Sequence, residues 1–177
     1  MSPDFSTSHF ALFGQPVSFD IDEAALDQTY RDIQREVHPD RFANAPGAEK
    51  RIAAQWALQV NEAYQTLKSP LARGRYLLKQ HGIDTEEETN TAMPVAFLMQ
   101  QMDWREAVVA ARAARDELAL EQLAKDKRAE ERALFELLST QLSNRATIRD
   151  ARETVRKLRF LQKLGEEIDL ASEAIES

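Results

Sequence analysis

Residues 26–42 read LDQTYRDIQREVHPDRF, and the fold follows from how this stretch runs and ends. Leu26, Tyr30, Ile33 and Val37 recur at intervals of four, three and four, which places them on one face of an α-helix. His38 precedes Pro39, and the residue before a proline is pushed out of the α region. The helix therefore stops near Val37–His38. Asp20, followed three residues later by Glu23, reads as the capping box that starts it. On the far side of the corner, Pro46 suits a first helical turn. Trp56, Val60, Ala63, Tyr64 and Leu67 form the apolar stripe of a second helix, to about Leu67. Tyr30, Ile33, Val37, Trp56, Val60 and Leu67 read as core, and Tyr64 with them. Two amphipathic helices joined by a short proline corner make an antiparallel hairpin.

The helical period continues outward from the hairpin. Ser69-Pro70 reads as an N-cap and first-turn proline opening a helix through Leu71, Tyr76, Leu77 and Leu78 to a stop at Gly82. A short helix near His9–Phe13, ended by Gly14, precedes the hairpin. Residues 83–93, IDTEEETNTAM, are acidic and polar with no apolar period. Beyond them Pro94 opens a helix to about Ala114. A long one spans about Asp116–Leu142, with Leu118, Leu123, Leu134, Leu137 and Leu138 among its apolar positions. Ser143-Asn144 marks a turn, and a last helix runs from about Thr147 to Ile175. Three helices of this size form an antiparallel bundle. No alternating strand and no fixed-period repeat is present. The expectation is an all-α protein: an N-terminal helical domain over 1–80, a linker over 81–93 and a three-helix domain over 94–177.

Composition narrows the function classes. A chain of 177 residues suits one ordinary domain or two small ones. It has no cysteine, so disulfides, thiolate metal sites and a cysteine nucleophile are excluded. Its three histidines, His9, His38 and His81, are too far apart for a local metal motif, and no metal or cofactor is expected. A net charge of −7 argues against a constitutive nucleic-acid partner. No apolar run approaches the roughly 18 residues that span a bilayer. The start, MSPDFSTSHF, lacks the basic and apolar regions of a signal peptide. A soluble protein of a reducing compartment, with no membrane partner, is expected.

His38-Pro39-Asp40 is the first candidate for function. Read locally, it is an exposed corner: the histidine suits a helix C-terminus and the aspartate suits a turn. Its surroundings point further. An amphipathic helix precedes it, Arg41-Phe42 follows, and the next helix ends NEAYQTLKSP (61–70). This order and spacing resembles a J-domain, the module by which J-proteins stimulate the ATPase of DnaK-class chaperones, over about residues 10–80. The resemblance implies that His38, Pro39 and Asp40 contact the chaperone's nucleotide-binding domain near its interdomain linker. It implies that Arg31, Arg35 and Arg41 join the chaperone-binding face, with Arg31 and Arg35 turned to an acidic surface. Their plainer reading is as solvated helix-face charges. No Gly/Phe-rich segment and no CxxC repeats follow, which points to a specialised J-protein.

The second candidate lies beyond the linker. At 100° per residue, Phe97, Trp104, Val108 and Ala111 cluster on one side of their helix. Leu98, Met99 and Met102 spread over the other, beside Asp103 and Glu106. One apolar face is enough to join a bundle. The second reads either as a partner surface, where methionine is favoured, or as a helix buried on both sides. In the last helix Ile148, Ala151, Val155, Leu158 and Leu161 form a drifting stripe. Phe160 lies off it, among Arg156, Lys157, Arg159 and Lys163. It reads either as a partner anchor or as packing against a neighbouring helix.

SPLARGRYLL (69–78), FLM (97–99), VRKLRFLQKL (155–164) and the FALFG start (10–14) together resemble the HscB family, the J-proteins of bacterial iron–sulfur cluster assembly. The resemblance covers nearly the whole chain. It implies a non-enzymatic, cytoplasmic co-chaperone whose C-terminal domain binds the IscU-like cluster scaffold and delivers it to a dedicated HscA-like chaperone. It further implies that Leu98, Met99, Met102, Asp103, Glu106 and Phe160 form the scaffold-binding face. The acidic part of that face is thin here, since Ala107-Val108-Val109-Ala110-Ala111 follows Glu106. The lack of an N-terminal cysteine-rich module favours a bacterial form. The alternatives are a J-protein with a different client, a purely structural helical protein, and an enzyme using His38 and Asp40 as an acid/base pair. The last lacks a third orienting group, a phosphate loop or a metal set.

Overall fold

A computed structural model describes residues 7–42, 45–87 and 92–176, and the elements they form are all helical. Residues 88–91 of the expected linker lie outside that set. Seven α-helices occur among the described residues: α1 (His9–Leu12), α2 (Glu23–Val37), α3 (Gly47–Lys68), α4 (Pro70–Gln80), α5 (Val95–Ala114), α6 (Glu117–Ser143) and α7 (Ala151–Glu176). A 3-10 turn, Pro39–Phe42, follows α2. The chain divides into two compact units, residues 1–77 and 78–177.

Local chemistry sets the helix ends of the first unit. α1 starts at Ser8, whose hydroxyl accepts from the Ala11 amide. It stops at Gly14, which adopts φ 63° at no steric cost. The cap of α2 differs from expectation: Asp22, not Asp20, accepts from the Ala25 amide at 2.9 Å. The carboxylate must stand three residues before the amide that it satisfies, and Asp22 meets that requirement with the helix beginning at Glu23. Pro46 likewise stands at the N-cap of α3 rather than inside its first turn. Ser69 Oγ accepts from the Ala72 amide and starts α4, and Gly82, at φ 69°, closes it.

Helices α2 and α3 run antiparallel. Asp27 pairs with Tyr64 and Lys68, while Tyr30 and Gln34 both reach Asn61. Phe10, Leu26, Val60, Ala63 and Leu67 are fully buried in this unit. Tyr30, Ile33, Trp56 and Tyr64, expected in the core, are only partly buried. Their polar ends or the hairpin's edge keep one side in water. Arg73 is the unit's buried cation. Its Nε donates to the Leu67 carbonyl at 2.8 Å and its Nη1 to the Phe19 carbonyl at 2.6 Å, and it stands over the Phe19 ring. It thereby satisfies a carbonyl at the end of α3 and another in the segment before α2.

In the second unit α5 and α7 run in the same direction, with α6 antiparallel to both. Phe97 meets Phe160 and Arg105 pairs with Glu167, while Gln141 near the end of α6 receives Thr154 near the start of α7. Leu120, Leu138, Val155, Leu158, Leu161 and Leu164 fill the interior. Leu118 and Leu137, expected among the apolar positions of α6, are exposed instead. The last helix begins at Ala151, later than expected. Residues 145–150 form turns, among them Thr147 Oγ1 donating to the Gln141 carbonyl, although Ile148 is already buried.

Candidate functional site

The first candidate surface is the corner between α2 and α3. His38 leaves the helix at φ −57° and ψ 133°, the extended conformation a following proline imposes. The Arg41 amide donates to the His38 carbonyl at 3.0 Å and closes the turn. The Asp40 amide donates to His38 Nδ1 at 3.3 Å, and Asp40 Oδ2 lies 3.5 Å from the same nitrogen. The two side chains are 58% and 92% exposed, so both stand in solvent.

Three arginines flank this corner. Arg31 Nη2 donates to Gln28 Oε1 at 2.8 Å, and Gln28 Nε2 donates to both carboxylate oxygens of Asp32. Arg35 Nη1 pairs with Asp32 Oδ1 at 3.1 Å. Arg41 Nη1 donates to the Arg35 carbonyl at 3.4 Å, in the last turn of α2, where a cation suits the helix dipole. All three arginines are exposed.

Towards the end of the hairpin remote from the corner, a polar network joins α2 to α3. The Tyr30 and Tyr64 rings stack at 3.9 Å between centroids. Tyr64 Oη donates to Asp27 Oδ1 at 3.0 Å, and Lys68 Nζ reaches both Asp27 oxygens at 2.9 Å. The Lys68 and Tyr64 hydrogen bonds hold the Asp27 carboxyl below its ordinary range. The same contacts with Asp27 push Lys68 and Tyr64 up. Glu23 joins Lys68 at 3.5 Å and Arg73 at 3.4 Å.

The second candidate surface lies on α5 and α7. Met99 and Met102 are about three-fifths exposed, Asp103 and Glu106 are exposed, and Leu98 is partly buried. Phe97, one residue before Leu98, turns into the bundle. Phe160 meets it edge-on, with centroids 5.9 Å apart, and remains partly exposed. Lys157 Nζ stands over the other part of this aromatic pair, 5.8 Å from the Phe97 centroid, and also pairs with Glu153. The basic run on α7 is therefore not a uniform solvated cluster. Arg156 is only 7% exposed and faces Glu86 at 4.0 Å, while Arg152 pairs with Glu86 at 3.3 Å.

Sequence reasoning passed over several neighbours of these surfaces. Asp32 stands three residues before Arg35, a spacing that brings opposite charges together on a helix. Val95 and Val109 are exposed on α5, and lie four residues before Met99 and seven after Met102. That i, i+4, i+7 spacing continues the methionine stripe. Among the described residues no group of three or more His, Asp or Glu is arranged to hold a metal ion, and no helix is long and apolar enough to cross a membrane.

Known proteins align along the whole chain. Residues 93–169 match the family described as the HSCB C-terminal oligomerisation domain. The co-chaperone protein HscB homolog of Aromatoleum aromaticum is 49% identical over 177 residues, covering 100% of both chains. That of Burkholderia multivorans is 51% identical over 170 residues, covering 96% of this chain and 97% of its own. Among solved structures, the chaperone HscB from Vibrio cholerae superposes with a TM-score of 0.85 at 35% identity, over 96% of this chain and 99% of that one. Human co-chaperone protein HscB gives 0.89 at 32% identity, over 96% and 84%.

Proposed function

This chain belongs to the HscB family of co-chaperones, a non-enzymatic class, and from that premise we propose that it carries an iron–sulfur scaffold to a DnaK-class chaperone and triggers that chaperone's ATPase. The first unit acts as the J-domain. His38, Pro39 and Asp40 engage an HscA-like partner, with Arg31, Arg35 and Arg41 matched to its acidic surface. The second unit holds an IscU-like scaffold against Leu98, Met99, Met102, Asp103, Glu106 and Phe160. The site of action is the bacterial cytoplasm.

The observation that carries this reading is the exposed corner. His38 and Asp40 are held by each other and by the turn, and their side chains stand in water. Such a group works by binding. It accelerates hydrolysis only if it binds the hydrolysis-competent state of the chaperone more tightly than the resting state. On the other surface, exposed methionines beside carboxylates offer adaptable apolar contact with a charged rim.

Single-turnover ATP hydrolysis by an HscA-like chaperone tests the proposal, run with this protein, with an IscU-like scaffold and with both. Wild type should stimulate, His38→Gln should not, and the scaffold should add synergy only when this chain is present. HPD-dependent stimulation without a scaffold effect would make it a J-protein with a different client. No stimulation of any DnaK-class ATPase would reduce the corner to a turn.

A further inference from the structure

The arginines of α2 are not free. Arg35 is paired with Asp32, Asp32 is also held by the Gln28 amide, and the oxygen of that amide holds Arg31. Gln28, Arg31, Asp32 and Arg35 are all exposed, so this closed set of contacts lies on the surface leading to the HPD corner. The carboxylate sits within the same two turns as the cations that the chaperone must meet. Among the described residues it takes no part in the hairpin interior, where Asp27, Tyr30 and Glu23 make the contacts to α3 and α4.

We propose that Asp32 is a specificity-determining residue of the chaperone-binding face: it holds Arg35 in an intrahelical pair, so that a weakly acidic partner surface gains less from the guanidinium than a strongly acidic one. This rests on the reading of the first unit as a J-domain. The physical basis is competition. An exposed ion pair is weak, because both charges are well solvated and holding the side chains costs entropy. A partner carboxylate can therefore displace Asp32, but a weakly acidic surface gains little by doing so. The same carboxylate also lowers the positive potential that steers encounter. Discrimination arises by making the wrong partner's contact poorer rather than the right partner's stronger.

Stopped-flow association of the labelled full chain with an HscA-like chaperone and with a general DnaK tests the assignment. Asp32→Asn keeps the shape of the side chain and its ability to accept from Gln28 while removing the charge. At low salt it should raise the association rate by roughly two- to fivefold. The rise should be larger for the general DnaK and should vanish near 1 M salt, where screening is short-ranged. In an Arg35→Gln background most of the gain should disappear, because the residue that Asp32 restrains is gone. An unchanged or slower rate, or an equal gain in the Arg35→Gln background, overturns the proposal. Wild type and His38→Gln, measured in the ATPase assay alongside, separate the two failures. If stimulation depends on His38 and Asp32→Asn has no effect, only the role of Asp32 falls. If wild type neither binds nor stimulates, the J-domain reading falls and this proposal falls with it.

Discussion

Asp27 gives the first unit its clearest pH dependence. Its carboxyl is held below the ordinary 3.8 by Lys68 and Tyr64, so the folded state binds a proton there less readily than the unfolded chain. The stability it contributes is therefore present above about pH 4 and is lost as pH falls through the depressed folded value. Lys68 and Tyr64 work at the other end. Both are raised, from 10.5 and 10.0, so their contribution is present below those values and is lost as pH rises through the higher folded ones. Asp27→Asn should lower the melting temperature at pH 7 and flatten its fall below pH 4; a full acid limb in the variant would contradict this. His38→Gln should behave differently. The residue is exposed and its contacts among the described residues are local, so thermal unfolding should shift by less than about 0.5 kcal/mol while chaperone stimulation is lost.

At the scale of the element, α5 divides its sequence between two tasks. Phe97, Val108 and Ala111 face the bundle, whereas Met99, Met102 and Val109 stay exposed. The two kinds of position should respond oppositely to substitution. Leu138→Ala, in the fully buried face of α6, should cost about 2–5 kcal/mol in denaturant unfolding. Met99→Ala and Met102→Ala should cost under about 0.5 kcal/mol and still weaken scaffold binding measured by calorimetry. Phe160→Ala falls between them. It loses an edge-to-face contact of about 0.5–1.5 kcal/mol and part of its burial, so the bundle should remain folded as scaffold affinity drops. A loss of stability as large as that of Leu138→Ala would place Phe160 in the core. In α4, Arg73→Met should strand the Leu67 and Phe19 carbonyls, each costing about 1–3 kcal/mol, with a lowered melting temperature as the readout.

For the whole molecule, the two units each carry their own buried core and their own candidate surface. Loss of one surface should therefore leave the other working. His38→Gln should bind scaffold like wild type, and Phe160→Ala should stimulate the chaperone like wild type in the absence of scaffold. Only their combination in one chain should deliver a scaffold-dependent ATPase. A Phe160→Ala protein that fails to stimulate even without scaffold would contradict this separation. Net charge acts at this scale too. With a net charge of −7, the basic face of α2 is a local exception. Arg31→Glu should thus slow chaperone association strongly at low salt and little at high salt.

Much of this was legible in the sequence because it depends on near neighbours. The 4–3–4 spacing from Leu26 to Val37, the pre-proline stop at His38, the Ser69-Pro70 start and the glycine stops at 14 and 82 act within one or two turns of backbone. The all-α class follows from them. So do the HPD corner and the surplus apolar side of α5, both visible as residue patterns. Three things needed the tertiary structure, because they depend on which helices meet. Tyr30, Ile33 and Trp56 share the apolar stripes of their helices, yet they lie at the hairpin's edge and keep one side in water. Arg156, a cation within a basic run, is buried, with Glu86 beyond the end of α4 as its counter-charge. Phe160 packs edge-on to Phe97 across two helices, so its reading as packing holds for one side of the ring, while the ring remains partly exposed. Periodicity says which residues share a face; only the packing of neighbouring helices decides how much of that face water still reaches.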